Sequence, residues 1–92
     1  MSYVVRYTDE ADETIAKYKK SNPIAYKKVV RLLEEITNHP REGTGHPKPL
    51  VEGSNITTYS RRISGKDRIV YDIYDDIVVV LVVSVEWHYK DK

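Results

Sequence analysis

The order of patterns along the chain predicts an α+β fold: an N-terminal strand, a helical hairpin, then an antiparallel three-strand meander. Three observations carry that prediction. Two amphipathic segments meet at Ser21-Asn22-Pro23, a helix break and restart. Three β-rich runs follow, joined at Ser64-Gly65-Lys66-Asp67 and at Asp75-Asp76 by connections of hairpin length. The last run, IVVVLVVSV from Ile77 to Val85, is continuously apolar, as a strand flanked on both sides is.

Ser2 to Tyr7 is β-rich, and Thr8 is placed to cap a helix whose first turn carries Asp9, Glu10, Asp12 and Glu13, acids that suit the helix dipole. Ala11, Ile15 and Tyr18 form its apolar side, and Lys17, Lys19 and Lys20 close it near Ser21. Ser21-Asn22-Pro23 then predicts a cap followed by proline at the first helical position. The second helix carries Ile24, Val29, Leu32, Leu33 and Ile36 on its buried side and ends at Asn38-His39-Pro40. Pro40 to Asn55 holds three prolines and three glycines with little periodicity, so it is expected to be one long loop, and long loops often carry function. Ile56–Ile63, Arg68–Tyr74 and Ile77–Trp87 are the expected meander strands.

A chain of 92 residues with no internal repeat or linker is expected to form one domain over 1–92, too small to add a cofactor-binding half. Without cysteine it has no disulfide, thiolate metal site or cysteine nucleophile. The longest apolar run, Ile77 to Val83, is too short to span a bilayer and the N-terminus has no signal pattern, so a cytoplasmic location and no membrane partner are expected. No GxxxxGK[ST], GxGxxG or GxSxG motif occurs, which removes nucleotide-binding and serine-hydrolase classes. His39 and His46 each precede a proline with no acid at a metal-ligand spacing, and Asp75-Asp76 suit a turn, so neither metal nor other cofactor is expected.

The net charge of +1 hides two basic clusters. Lys17, Lys19, Lys20, Lys27, Lys28 and Arg31 lie between Thr14 and Leu33 with no acid among them, and Arg61, Arg62, Lys66 and Arg68 surround a tight turn offset by Asp67 alone. Either cluster fits a phosphate backbone, whose neutralisation releases counterions; either equally fits a solvated surface. Because strand side chains alternate, a two-residue turn aligns Arg61 with Arg68 and a three-residue turn aligns Arg62 with it; both registers stay open. His88 and Tyr89 follow the most apolar strand, which puts a titratable imidazole and a stacking phenol at an anchored strand end.

HPREGTGHPKPL over His39–Leu50, YSRRI over Tyr59–Ile63, DRIVY over Asp67–Tyr71 and the terminal His88-Tyr89 together resemble the YoeB branch of the RelE/ParE toxins of bacterial type II toxin–antitoxin systems. The resemblance runs from His39 to Tyr89, and the N-terminal helices match in pattern alone. It implies a RelE-like, microbial-ribonuclease-type fold. It also implies a toxin that enters the ribosomal A site and cuts mRNA as a metal-independent endoribonuclease. A cognate antitoxin is the implied partner besides the ribosome and mRNA, with a second copy of the chain as a further candidate. On the family's pattern Arg68 is the catalytic arginine, stabilising the phosphorane formed when a ribose 2′-hydroxyl attacks. His88 protonates the leaving 5′-oxygen and Tyr89 stacks on or orients a nucleotide. Arg62 matches a basic residue near the substrate, which favours the three-residue turn. Arg61, Lys66, Lys27, Lys28 and Arg31 complete the expected RNA-binding set.

One position departs from the pattern. Where the family has a glutamate as general base between two prolines, Pro47-Lys48-Pro49 puts a lysine, and a protonated lysine accepts no proton. Either Lys48 acts electrostatically on the 2′-hydroxyl, or Glu52 or His46 substitutes as base, or cleavage is lost. The last case leaves a non-catalytic protein: a ParE-like topoisomerase inhibitor, or a degenerate toxin that retains antitoxin binding alone. The retained His88 favours the enzyme, since a binding module needs no titratable group at a strand end.

Overall fold

A single five-stranded sheet organises the computed structural model, which describes residues 2–64, 67–77 and 79–87, the last stretch beyond Val79 as backbone. The elements run β1 (Val4–Tyr7), α1 (Asp9–Ser21), α2 (Pro23–Asn38), β2 (Lys48–Glu52), β3 (Ile56–Arg62), β4 (Arg68–Tyr74) and β5 (Val79–Trp87), in the sheet order β1-β5-β4-β3-β2. β3, β4 and β5 form the expected antiparallel meander, and β5 lies between β1 and β4 as its unbroken apolar run requires.

Two pairings add to the expected layout. β1 runs parallel to β5, from Val4 opposite Val79 to Tyr7 opposite Val82. The stretch expected to be one loop from Pro40 to Asn55 instead contains β2, antiparallel to β3. Proline content concealed it: Pro49 has no N–H to donate, but β2 is an edge strand whose register shifts between Pro49 and Val51, where a missing donor is tolerated.

The helix boundaries follow their caps. The Thr8 hydroxyl accepts from the Ala11 N–H at 3.1 Å, and the Asn22 side chain accepts from the Ala25 N–H at 3.2 Å with Pro23 opening α2. Asn22 also ends α1, its N–H donating to the Tyr18 carbonyl at 2.8 Å, so one residue closes the first helix and starts the second. Val29, Leu32 and Ile36 of α2 and Ala11 and Tyr18 of α1 pack on Ile63, Ile69, Tyr71 and Ile73 of the sheet. Ile24, expected on that buried side, is 83% exposed because it lies on the first turn of α2, short of the sheet. Neither helix is long and apolar enough to cross a membrane.

Candidate active site

Strand alternation sorts β3 and β4 onto two faces. Tyr59, Arg61 and Ile63 join Ile69, Tyr71 and Ile73 beneath the helices, while Thr58, Ser60 and Arg62 share the opposite face with Asp72, Val70 and Arg68, their cross-strand partners. On that second face Ser60 and Val70 are themselves buried, and its cations lie at the end of the strands, where exposed Arg62 faces half-buried Arg68.

Arg61 belongs to the covered face and is fully buried. All five of its guanidinium hydrogens have acceptors: Nε–H donates to the Tyr71 hydroxyl (3.0 Å), one amino group to Glu35 Oε1 (3.0 Å) and the Thr44 carbonyl (3.3 Å), and the other to the carbonyls of His39 and Glu42 (both 2.6 Å). Tyr71 in turn donates to the Pro40 carbonyl at 2.7 Å. Burial pushes the Tyr71 phenol above its ordinary pKa against the pull of Arg61, so it stays neutral and keeps that donor. The Thr44 N–H and hydroxyl reach Glu35 at 2.7 and 2.8 Å and, with Arg61, hold its carboxyl below the ordinary value. The expectation that Arg61 contacts RNA is therefore corrected: its charge is enclosed and its donors organise residues 39–44.

Both glycines of the EGTG stretch serve this clasp. Gly43 has φ +121°, and a Cβ there would collide with the Glu35 carboxylate beside Arg61. Gly45 has φ +89°, and a Cβ there would lie 2.9 Å from the Arg62 carbonyl oxygen. The close approach lets the Gly45 carbonyl accept from the Arg62 N–H at 2.7 Å, which carries the β2–β3 ladder past the end of β2.

Arg62 pairs directly with Arg68, and the Ile63 N–H donates to the Asp67 carbonyl at 2.8 Å, so the connection has three residues and Arg62 rather than Arg61 shares a face with Arg68. Lys48, exposed and opposite Ser60, is one same-face position away, about 7 Å along the sheet. Glu52 pairs with Thr57, on the opposite parity and five β3 residues from Arg62. His46 is exposed, with φ 52°, directly after the Gly45 carbonyl that binds Arg62.

The helices bring their cations to the same end. The Lys28 ammonium donates to the Ile63 carbonyl at 3.4 Å, and Tyr18 donates to Asp67 at 3.4 Å, so the α1–α2 junction abuts the β3–β4 connection. Lys19, Lys20 and Lys27 are exposed around that junction, and Arg31 is exposed about two turns further along α2. Acids collect elsewhere: Asp75 accepts from Arg41 at 2.7 and 3.2 Å and from Tyr3 at 2.9 Å, and Asp72 accepts from Thr58 at 2.6 Å. A groove on the helical side, lined by Tyr7, Ile15, Tyr26 and Leu33, carries Asp12 and Glu34 and no cation, the wrong sign for phosphate. No cluster of metal-ligating side chains occurs among the described residues.

Lys66, His88 and Tyr89 lie outside the described residues. Arg68 pairs with Trp87, the residue before His88 in the sequence. Glu35 and Tyr71 were missed as partners of a buried arginine. The signal was present in YSRRI, where Arg61 occupies the alternate position shared with Tyr59 and Ile63.

Comparison with known proteins gives a consistent result. Residues 7–89 match the family model of the YoeB-like toxin of bacterial type II toxin–antitoxin systems. Toxin YoeB of Streptomyces coelicolor is 32% identical over 85 residues, covering 92% of this chain and 98% of the relative. Among solved structures, the YoeB dimer from Staphylococcus aureus superposes with a TM-score of 0.80 at 30% identity, covering 97% of this chain and 100% of that one. A heterotetrameric YoeB–YefM toxin–antitoxin complex from Staphylococcus aureus gives a TM-score of 0.76 at 26% identity, with the same coverage.

Proposed function

The chain belongs to the YoeB-like toxins of bacterial type II toxin–antitoxin systems, and from that membership we propose that it is a ribosome-dependent mRNA endoribonuclease. The observation that carries this reading is the Arg62–Arg68 pair on the face away from the helices, at the end where the basic helix junction also lies. An RNA phosphate bound between them has a guanidinium beside each non-bridging oxygen.

In the proposed reaction the ribose 2′-hydroxyl attacks the adjacent phosphorus, Arg68 neutralises the charge that builds on the phosphorane, and Arg62 holds the ground-state phosphate. His88, matched to the family's terminal His-Tyr pair, protonates the departing 5′-oxygen, and Tyr89 stacks on a nucleotide base. Lys48, one position along the same face, contributes positive potential near the 2′-oxygen. The nucleophile belongs to the RNA, so this scheme needs position, charge and proton transfer and no metal.

The partners follow from the relatives. The YoeB–YefM complex supports a cognate antitoxin for this chain, and the YoeB dimer supports self-association. The non-catalytic alternatives are not favoured, because topoisomerase or antitoxin binding alone gives no reason to oppose two arginines on the face away from the helices.

Inducing the wild type, Arg68→Ala and His88→Ala in bacteria and mapping mRNA 5′ ends tests the reading. New ends near start codons with the wild type, and their loss in both variants, are expected. No new ends, or unchanged cleavage in both variants, would refute it.

A further inference from the structure

In the proposed reaction Arg62 holds the phosphate and Lys48 lies near the 2′-oxygen, so the spacing between these two side chains bears on the distance of attack. They stand on different strands, and the stretch 45–48 joins their backbones. The Arg62 N–H donates to the Gly45 carbonyl at 2.7 Å, while Lys48 lies opposite Ser60. Three steps of chain, from 45 to 48, therefore run beside two steps of β3, from 62 to 60, and the extra residue makes a bulge. Gly45 and His46 take it up with φ of 89° and 52°. A bulge re-aims the side chains beside it, so the setting of this one decides where Lys48 stands against Arg62.

A closed ring of contacts holds the bulge from the covered side of the sheet. The Glu35 carboxylate of α2 accepts from the Thr44 N–H through Oε1 at 2.7 Å and from the Thr44 hydroxyl through Oε2 at 2.8 Å. Its Oε1 also accepts from Arg61 at 3.0 Å, and the same amino group of Arg61 donates to the Thr44 carbonyl at 3.3 Å. From Thr44 the ring passes to Gly45, across the bond to Arg62, back along β3 to Arg61 and through its guanidinium to Glu35. With both carboxylate oxygens engaged, Thr44 is fixed in orientation as well as in place. The ring closes because Gly43 leaves room for the Glu35 carboxylate and Gly45 for the Arg62 backbone.

Resting on the reading of the chain as a ribonuclease, we infer that Glu35 and Thr44 are positioning residues for cleavage. Neither contacts the reacting atoms; they act through the Gly45 carbonyl on Arg62 and through the bulge on Lys48. Geometry of this kind governs rate more than affinity, because a misplacement of about 1 Å at the reacting groups can cost up to about 10²-fold in rate while the charged surface that binds the ribosome is untouched.

The test is single-turnover cleavage of ribosome-bound mRNA by the purified chain, comparing the wild type with Thr44→Val, Thr44→Ser and Glu35→Ala below the melting transition of each. Hydrogen exchange at the Arg62 amide is followed on the same samples. Thr44→Val is expected to lower the rate at saturating toxin about tenfold and Glu35→Ala about 10–100-fold, with the half-saturating concentration unchanged and the Arg62 amide exchanging faster in both. Thr44→Ser, which keeps the hydroxyl, should stay within threefold of wild type. Thr44 is exposed, so Thr44→Val keeps the fold and decides the matter alone if Glu35→Ala does not fold. A Thr44→Val rate within threefold of wild type, a loss confined to the half-saturating concentration, or Thr44→Ser as slow as Thr44→Val would overturn the assignment. An inactive wild type would instead refute the ribonuclease reading, and unchanged Arg62 exchange in Thr44→Val would then refute the ring as well.

Discussion

Arg61 and Arg62 are consecutive, chemically identical and differently employed. Arg61 points under the helices, fully buried, with every hydrogen bonded inside the protein; Arg62 points the other way, exposed, facing Arg68. The two-residue period of a strand makes the difference, and the three-residue connection decides which arginine joins Arg68. A basic dipeptide is therefore not two units of RNA-binding charge. One arginine builds the loop that shapes the site, and the other is available to substrate.

The sharpest way to break this contrast is to truncate each arginine. Arg61→Ala removes a buried charge and leaves Glu35, Tyr71 and three carbonyls without their donor, so it should cost roughly 3–5 kcal/mol. Arg62→Ala should change stability by less than about 0.5 kcal/mol, as exposed substitutions do. Urea denaturation midpoints measure both, and equal losses would erase the distinction.

A smaller effect is expected at the joint between the two roles. Gly45→Ala must hold an L-residue at positive φ, at about 1–2 kcal/mol, and presses its Cβ on the Arg62 carbonyl. The Arg62 amide, bonded to Gly45, should lose hydrogen-exchange protection while the α2 amides keep theirs. Unchanged protection would mean that the approach is not tight.

The smallest effect is electrostatic. The Glu35 carboxyl titrates lower in the folded chain than in the unfolded one, chiefly through Thr44 and then Arg61. Its stabilisation is therefore complete above the unfolded value of about 4.3 and is lost as pH falls through the lower folded value. Wild type should exceed Glu35→Gln in denaturation midpoint at pH 7, with the gap closing toward pH 3. A gap that widens in acid would contradict the assignment.

Much of the fold was legible because local chemistry and tertiary structure agree. Thr8, Asn22 and Pro23 mark the helix ends, and the apolar run of β5 marks an internal strand. β2 was illegible because Pro47 and Pro49 read as loop, and only pairing with β3 gives that edge its strand. In the site, the motifs located Arg68 and the Lys48 departure. Arg61 was misread because charge was counted ahead of alternation, and Glu35 could not be paired with it from sequence because they are 26 residues apart.

The central claim is that the Arg62–Arg68 pair performs the chemistry. Its most direct test is the single-turnover rate of mRNA cleavage on the ribosome for Arg68→Ala, with unfolding followed on the same sample. A rate lowered about 10²–10³-fold in a chain that melts as the wild type does is the predicted result. Wild-type cleavage by folded Arg68→Ala would contradict it.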